Sequence, residues 1–150
     1  MALISREVHL VNRPDGSPEP DDFSVVETRL DHPGKGEVQV RNLWLSVDPY
    51  MRGRMGGTAN YQGAGNFALN EVIPSRVVGQ VATSHNPRFK EGDFVWGFLG
   101  WELYSVSKDG GDLRVIDPAV GPITHAITVL GMPGLTAYVG LRNIGQPKRG

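Results

Sequence analysis

The chain contains no cysteine. Disulfides and thiolate metal sites are therefore excluded, and a cytoplasmic location is compatible with the composition. It has no apolar run near the ~20 residues that cross a bilayer. Its start, Met1-Ala2-Leu3-Ile4-Ser5-Arg6, lacks the apolar core of a signal peptide. It has almost no excess of charge: a net charge of −1 gives no electrostatic case for nucleic acid or an anionic membrane as partner. His9, His32, His85 and His125 stand far apart, none with a second histidine within helical reach. The expectation is structural or surface histidines and no zinc. No Gly-x-Gly-x-x-Gly or Ala-x-x-Gly-x-x-Gly element opens a helix. Gly53-x-x-Gly56 and Gly63-x-Gly65 fall in loops without the strand–turn–helix context of a dinucleotide fingerprint.

Turn residues are abundant. Twenty glycines and eleven prolines in 150 residues favour short strands over long helices. The length is that of one ordinary domain, enough to bury roughly 68–70% of the unfolded surface. Strands are expected at Leu3 to Val11, Phe23 to Leu30, Glu37 to Val47, Arg76 to Ser84, Asp93 to Leu99, Trp101 to Ser107 and Leu113 to Ile116. Asp15-Gly16, His32 to Gly36, Lys90 to Asp93 and Asp109 to Asp112 read as the turns between them. In the third strand the apolar phase slips near Arg41-Asn42, which predicts a bulge. Gly79 inside a strand predicts close backbone approach. Gly56 to Asn70 reads as a long loop. After residue 122 the spacing becomes helical, with Ile123, Ile127 and Leu130, then Leu135, Tyr138 and Leu141. Gly145 suits a left-handed helix stop. The class is mainly β, a partly open barrel with C-terminal helices.

The most informative stretch runs from Leu43 to Met55, LWLSVDPYMRGRM. Leu43, Leu45 and Val47 alternate as in a strand. Pro49 ends it, because proline has no N–H for a ladder. Asp48 can cap a helical turn starting at Pro49. Tyr50, Arg52 and Arg54 then project where rigid backbone meets a loop. Tyr50 either packs its ring and bonds its hydroxyl, or serves a site. Arg52 and Arg54 either pair with carboxylates or bind phosphate oxygens. Met132 and Thr136 follow Gly131 at a helix start, where free amides and the dipole favour polar ligands. The plainer reading of that helix start is packing between two domains.

LWLSVDPYMRGRM closely resembles a segment of the zinc-independent medium-chain dehydrogenase/reductases, nearest the prostaglandin reductase, alkenal double-bond reductase and curcumin reductase group. Gly131-Met132-Pro133-Gly134-Leu135-Thr136-Ala137-Tyr138 and Ile144-Gly145-Gln146-Pro147-Lys148 are similar to a second segment of that group, and Arg13 to Pro18 followed by Phe23 is similar to a third. The resemblance implies a GroES-like catalytic domain over residues 1–122. Residues 123–150 would be the helical connection and the truncated start of a Rossmann domain. It implies NADPH-dependent reduction of the C=C bond of α,β-unsaturated ketones or aldehydes, by hydride transfer to the β-carbon. It puts Tyr50 at the border of the nicotinamide and substrate cleft, a tyrosine in the position of Tyr61 at the substrate carbonyl, and the turn at Met132 and Thr136 against the nicotinamide. Arg52 is the candidate for the cofactor pyrophosphate. Homodimers would pair through the domain beyond Gly150. The contrasting reading is a non-catalytic GroES-like binding or scaffold module, since fold alone does not fix function.

Overall fold

The computed structural model describes residues 3–57 and 65–148. Among these residues eight strands form two sheets. β1 (Leu3–Leu10), β2 (Phe23–Leu30) and the short β4 (Glu71–Val72) make one, in the order β2-β1-β4. β3 (Val38–Leu45), β5 (Pro74–Ser84), β6 (Phe94–Gly100), β7 (Tyr104–Ser107) and β8 (Arg114–Ile116) make the other, in the order β7-β3-β5-β6-β8. Every pairing is antiparallel. The segment Trp101–Leu103 laces the sheets together. Val8 N–H donates to the Trp101 carbonyl at 2.8 Å and Leu103 N–H to that of Arg6 at 3.0 Å, while Asn42 N–H donates to the Leu103 carbonyl at 2.9 Å. The result is the partly open β-barrel expected from the short, turn-punctuated strands.

Two apolar cores fill it. Val38, Val40, Val77, Val81, Phe89, Val95, Leu99 and Leu113 sit beneath the larger sheet. Leu10, Met51, Met55, Phe67 and Ile73 form the second, with Val8, Phe23, Tyr50 and Trp101 packed on its edge. Gly79 lies where β5 crosses β3 most closely. A Cβ there would overlap Val40 Cγ1 and stand 2.7 Å from the Arg41 carbonyl oxygen, so the expected close approach is real. The β3 irregularity falls between Asn42 and Trp44, with a second between Gln39 and Val40. The slip in apolar phase thus marks the bulge to within a residue.

β3 ends at Leu45. Ser46 N–H then donates to the Arg76 carbonyl at 2.8 Å, and α1 (Pro49–Met55) follows with Asp48 as its N-cap. The C-terminal part holds a 3-10 turn (Ile123–Ile127), α2 (Met132–Val139) and a π-helical turn (Gly140–Gly145). The 3-10 turn packs on β5 and β6. Neither α2 nor the π turn buries a side chain, and Ile144 is 82% exposed. The helical spacing of Leu135, Tyr138 and Leu141 is genuine, yet the stripe is uncovered here. The left-handed stop falls on Gln146 (φ +43°) and not on Gly145. The π turn widens the last ring, so that Gln146 N–H reaches back to the Leu141 carbonyl at 2.9 Å, one residue later than an α-helical stop. No helix among the described residues is long and apolar enough to cross a membrane.

Candidate active site

α1 is short, and its buried face sets the direction of everything else on it. Met51 and Met55, four apart, are almost fully buried in the second core. That phase puts Tyr50 and Arg54, also four apart, on one neighbouring face. Arg54 Nε donates to the Gly65 carbonyl at 3.0 Å, and its guanidinium lies 4.4 Å from the centre of the Phe67 ring. Phe67 N–H returns a bond to the Arg54 carbonyl at 2.7 Å. Arg54 therefore ties Gly65 and Phe67 to the end of α1.

Arg52 faces the other way. Its Nε donates to the Gly16 carbonyl at 2.8 Å and its Nη2 to the Pro14 carbonyl at 3.2 Å. Gly16 takes φ +80°, a turn conformation that glycine tolerates. These bonds leave Nη1 as the edge that a ligand could use.

Tyr50 is half-buried at the rim of the second core. Burial pushes its phenol above the ordinary tyrosine value, and Asp48 adds to the rise. Arg54 and then Arg76 pull the other way and are outweighed. The phenol thus stays a proton donor through neutral and moderately alkaline pH.

Arg76 was not legible as a site residue. It stands on β5 opposite Phe98 on β6, while Val78 stands opposite both Trp96 and Trp44. Residues directly opposite in a ladder share a face, so Trp44, Arg76, Val78, Trp96 and Phe98 stand on one face of the larger sheet, with Val78 fully buried on it. The Arg76 guanidinium lies 5.7 Å from the centre of the Trp96 ring. Trp96 in turn lines a recess of about 180 Å3 with Ala126 and Leu130, just ahead of Gly131. Trp96 thus links Arg76 to the segment just before α2.

At that turn a Cβ on Gly134 would overlap the Val129 carbonyl oxygen. Gly134 N–H donates to Thr128 at 3.2 Å and Leu135 N–H to Gly131 at 3.0 Å. Thr136 Oγ1 donates to the Met132 carbonyl at 2.8 Å. Its hydroxyl oxygen keeps its lone pairs for a ligand. Met132 and Thr136 are thus joined to each other and exposed. Tyr61 lies outside the described residues.

A second polar cluster supports the strand that feeds α1. Asn42 Nδ2 is within bonding distance of three acceptors, the carbonyls of Gly100 (3.2 Å) and Glu102 (3.0 Å) and Ser105 Oγ (2.8 Å). Ser105 Oγ donates to Glu102 Oε1. Burial raises the Glu102 carboxyl above the usual carboxylate range; the Ser105 bond opposes this, and Glu7 adds to it. These bonds fix the bulge in β3. Among the described residues no three His, Asp or Glu side chains converge in a way that could hold a metal ion.

The family model described as "N-terminal domain of oxidoreductase" matches residues 6–116. The chain belongs to that family. Its relatives agree with the match. The NADPH-dependent curcumin reductase of Escherichia coli (strain K12) is 40% identical over 141 residues, 94% of this chain and 40% of that protein. The NADP(+)-dependent 2-alkenal reductase of Nicotiana tabacum is 38% identical over 153 residues, 99% of this chain and 44% of that protein. The crystal structure of CurA from Vibrio vulnificus in complex with NADPH superimposes with a TM-score of 0.85 at 37% identity, covering 97% of this chain and 42% of that one. The chain thus spans 40–44% of the length of these relatives. The family match takes in both cores and Tyr50, Arg52 and Arg76, and stops short of Met132.

Proposed function

We propose that the protein to which this domain belongs reduces the carbon–carbon double bond of α,β-unsaturated ketones or aldehydes with NADPH. One observation carries the reading: a tyrosine at the rim of the second core, held on a helix whose buried methionines fix its phase, in a domain of the oxidoreductase family. Relatives named for curcumin and 2-alkenal reduction support the substrate class. Residues 123–150 would lead into a dinucleotide-binding domain, through which homodimers would form, and the cytoplasm would supply the cofactor.

The described residues fit one end of that cofactor only. The exposed Met132 and the Thr136 hydroxyl oxygen fit the polar edge of a nicotinamide, and Arg52 Nη1 offers an edge to a phosphate oxygen. They contain no glycine-rich phosphate turn of their own. When bound, NADPH supplies the hydride that the β-carbon receives and becomes NADP+. Negative charge then collects on the carbonyl oxygen of the substrate. A phenol already aimed at that oxygen stabilises the developing charge more than the ground state. Tyr50 takes this role, with Tyr61 as the rival donor. Arg54 and Arg76 favour the same charge by their field. Solvent returns a proton to the α-carbon, so one hydride and one proton balance the lost double bond.

The test is turnover of a panel of enones and enals by the full-length protein with NADPH and with NADH. The expected result is saturable loss of NADPH absorbance with conjugated substrates, and none with the matching saturated ketones. No turnover with either cofactor would overturn the reading and leave a binding or scaffold module.

A further inference from the structure

Gln39 points away from the core that its neighbours fill. Val38 and Val40 on either side of it are buried in the first core. Successive side chains of a strand point to opposite faces, so the Gln39 carboxamide lies on the other face of the larger sheet. Thr83 on β5 and Val106 on β7 stand opposite it. Tyr104, two residues before Val106, shares that face. Gln39, Thr83 and Tyr104 thus meet on three adjacent strands, and all three line a recess of about 250 Å3. Leu3 and Leu30, an opposed pair at the end of the first sheet, wall it together with Ala82. The exposed Asp31 and His32 complete the lining. Ala82 is the extra residue of a bulge, since Gln39 pairs with Thr83 and Val40 with Val81. Bulges of this kind re-aim side chains beside sites. Gln39 is only 6% exposed. Its carboxamide, the Thr83 hydroxyl and the Tyr104 phenol have no hydrogen-bond partner among the described residues. A buried carboxamide without partners is costly, and native proteins seldom carry one. This one faces a recess that can admit them.

We propose that this recess is a second binding site, for a small neutral molecule that presents a carboxamide edge. A primary amide carries an acceptor oxygen beside a donor nitrogen, as Gln39 does, so the two can pair through two parallel bonds. The Thr83 and Tyr104 hydroxyls can each give or take one more. Leu3, Leu30 and Ala82 cover the apolar body of the ligand. No lysine or arginine lines the recess and Asp31 does, so an anion is disfavoured. The volume lies at the small end for ligand sites and suits a single ring. The site is separate from the candidate active site. Gln39 is near the start of β3 and Tyr50 follows its end, and the strand from Gln39 to Leu45 alone spans roughly 20 Å. It therefore does not depend on the reductase reading.

Benzamide is the probe, with benzoate as its anionic counterpart and benzamidine as its cationic one. Each is titrated into the full-length protein by ligand-observed NMR, with and without excess NADPH. Benzamide should bind the parent with the same Kd in both conditions, and benzoate about tenfold more weakly or worse. Gln39→Met keeps the length of the side chain and removes the amide. It should weaken benzamide about tenfold, the effect of losing two neutral hydrogen bonds. Gln39→Glu should exchange the preference, losing benzamide and gaining benzamidine, whose two N–H edges match a carboxylate. No benzamide binding by the parent, or an equal Kd in the parent and Gln39→Met, would overturn the proposal. Loss of benzamide binding on adding NADPH would place the probe at the nicotinamide position and overturn it too. A Gln39→Glu protein that keeps the parent's preference does the same, whatever the folding of Gln39→Met.

Discussion

Arg13 and Arg52 hold each other's segments. Arg13 Nη1 reaches from the 12–19 loop to the Met55 carbonyl at the C-terminal end of α1, at 3.0 Å, and Arg52 reaches from α1 back to the Pro14 and Gly16 carbonyls of that loop. The two arginines reach in opposite directions, so the loop and the helix are clasped to each other. Arg13 also suits the negative end of the helix dipole.

Arg52→Ala should therefore have a structural as well as a binding effect. Loss of its half-exposed carbonyl bonds should cost about 1 kcal/mol in urea unfolding. If Nη1 also meets a cofactor phosphate, KM for NADPH in the full-length enzyme should rise. Arg52→Lys separates the two. One ammonium cannot reproduce the fork between Pro14 and Gly16, but it keeps the charge. An unfolding midpoint unchanged in the alanine variant would remove the clasp from the account of this site.

Two glycines with opposite surroundings give a paired prediction. Gly79→Ala forces a methyl against Val40 and the Arg41 carbonyl, where β5 crosses β3, and should cost about 1–3 kcal/mol by overpacking. Gly53 lies inside α1 with open space where a Cβ would go. Gly53→Ala should stabilise by about 0.5–1 kcal/mol, the ordinary helix gain. Thermal unfolding of both variants checks the pair, and a stabilised Gly79→Ala would contradict the packing at the crossing.

Gly79 was legible because a glycine among Val77, Val78 and Val81 breaks an otherwise apolar strand for no local reason. The turn at Gly16 and the N-cap at Asp48 were legible for the same kind of reason, since each depends on neighbours in sequence. Arg76 and Trp96 were not. Their meeting depends on the register of β5 against β6, which no local pattern encodes. The Asn42–Ser105–Glu102 cluster joins residues some sixty positions apart and was equally hidden. β4 was missed because two residues are too few to show a period. The stop at Gln146 was misplaced because helical spacing does not announce a π turn.

Glu102 ties stability to pH. Burial raises its folded pKa above the unfolded value, so the native state holds the proton more tightly. Its contribution to stability is therefore greatest below the unfolded pKa. It declines as pH climbs from there through the raised folded pKa, and stays at the lower level above. Glu102→Gln removes that dependence and keeps an oxygen for Ser105. Urea unfolding of parent and variant across this range should show the variant gaining on the parent as pH rises. A gap that stays constant would show that Glu102 does not titrate differently on folding.

Tyr50 supplies the sharpest test of mechanism. Tyr50→Phe keeps the ring that packs against Leu10, Met51 and Ile73 and removes only the phenol oxygen. Folding should be nearly unaffected. Removing one donor to a developing oxyanion costs at most roughly 3–4 kcal/mol. Help from the fields of Arg54 and Arg76 would survive the change, so the expected loss is about ten- to a hundredfold in the rate of hydride transfer. Single-turnover loss of NADPH absorbance in the full-length enzyme measures that step free of product release. Tyr61→Phe, measured in parallel, tests the rival donor. A slow Tyr50→Phe beside a normal Tyr61→Phe assigns the donor to Tyr50 on α1, while the reverse assigns it to Tyr61. If both variants match the parent, neither phenol polarises the carbonyl. The donor would then come from the rest of the protein or from the cofactor.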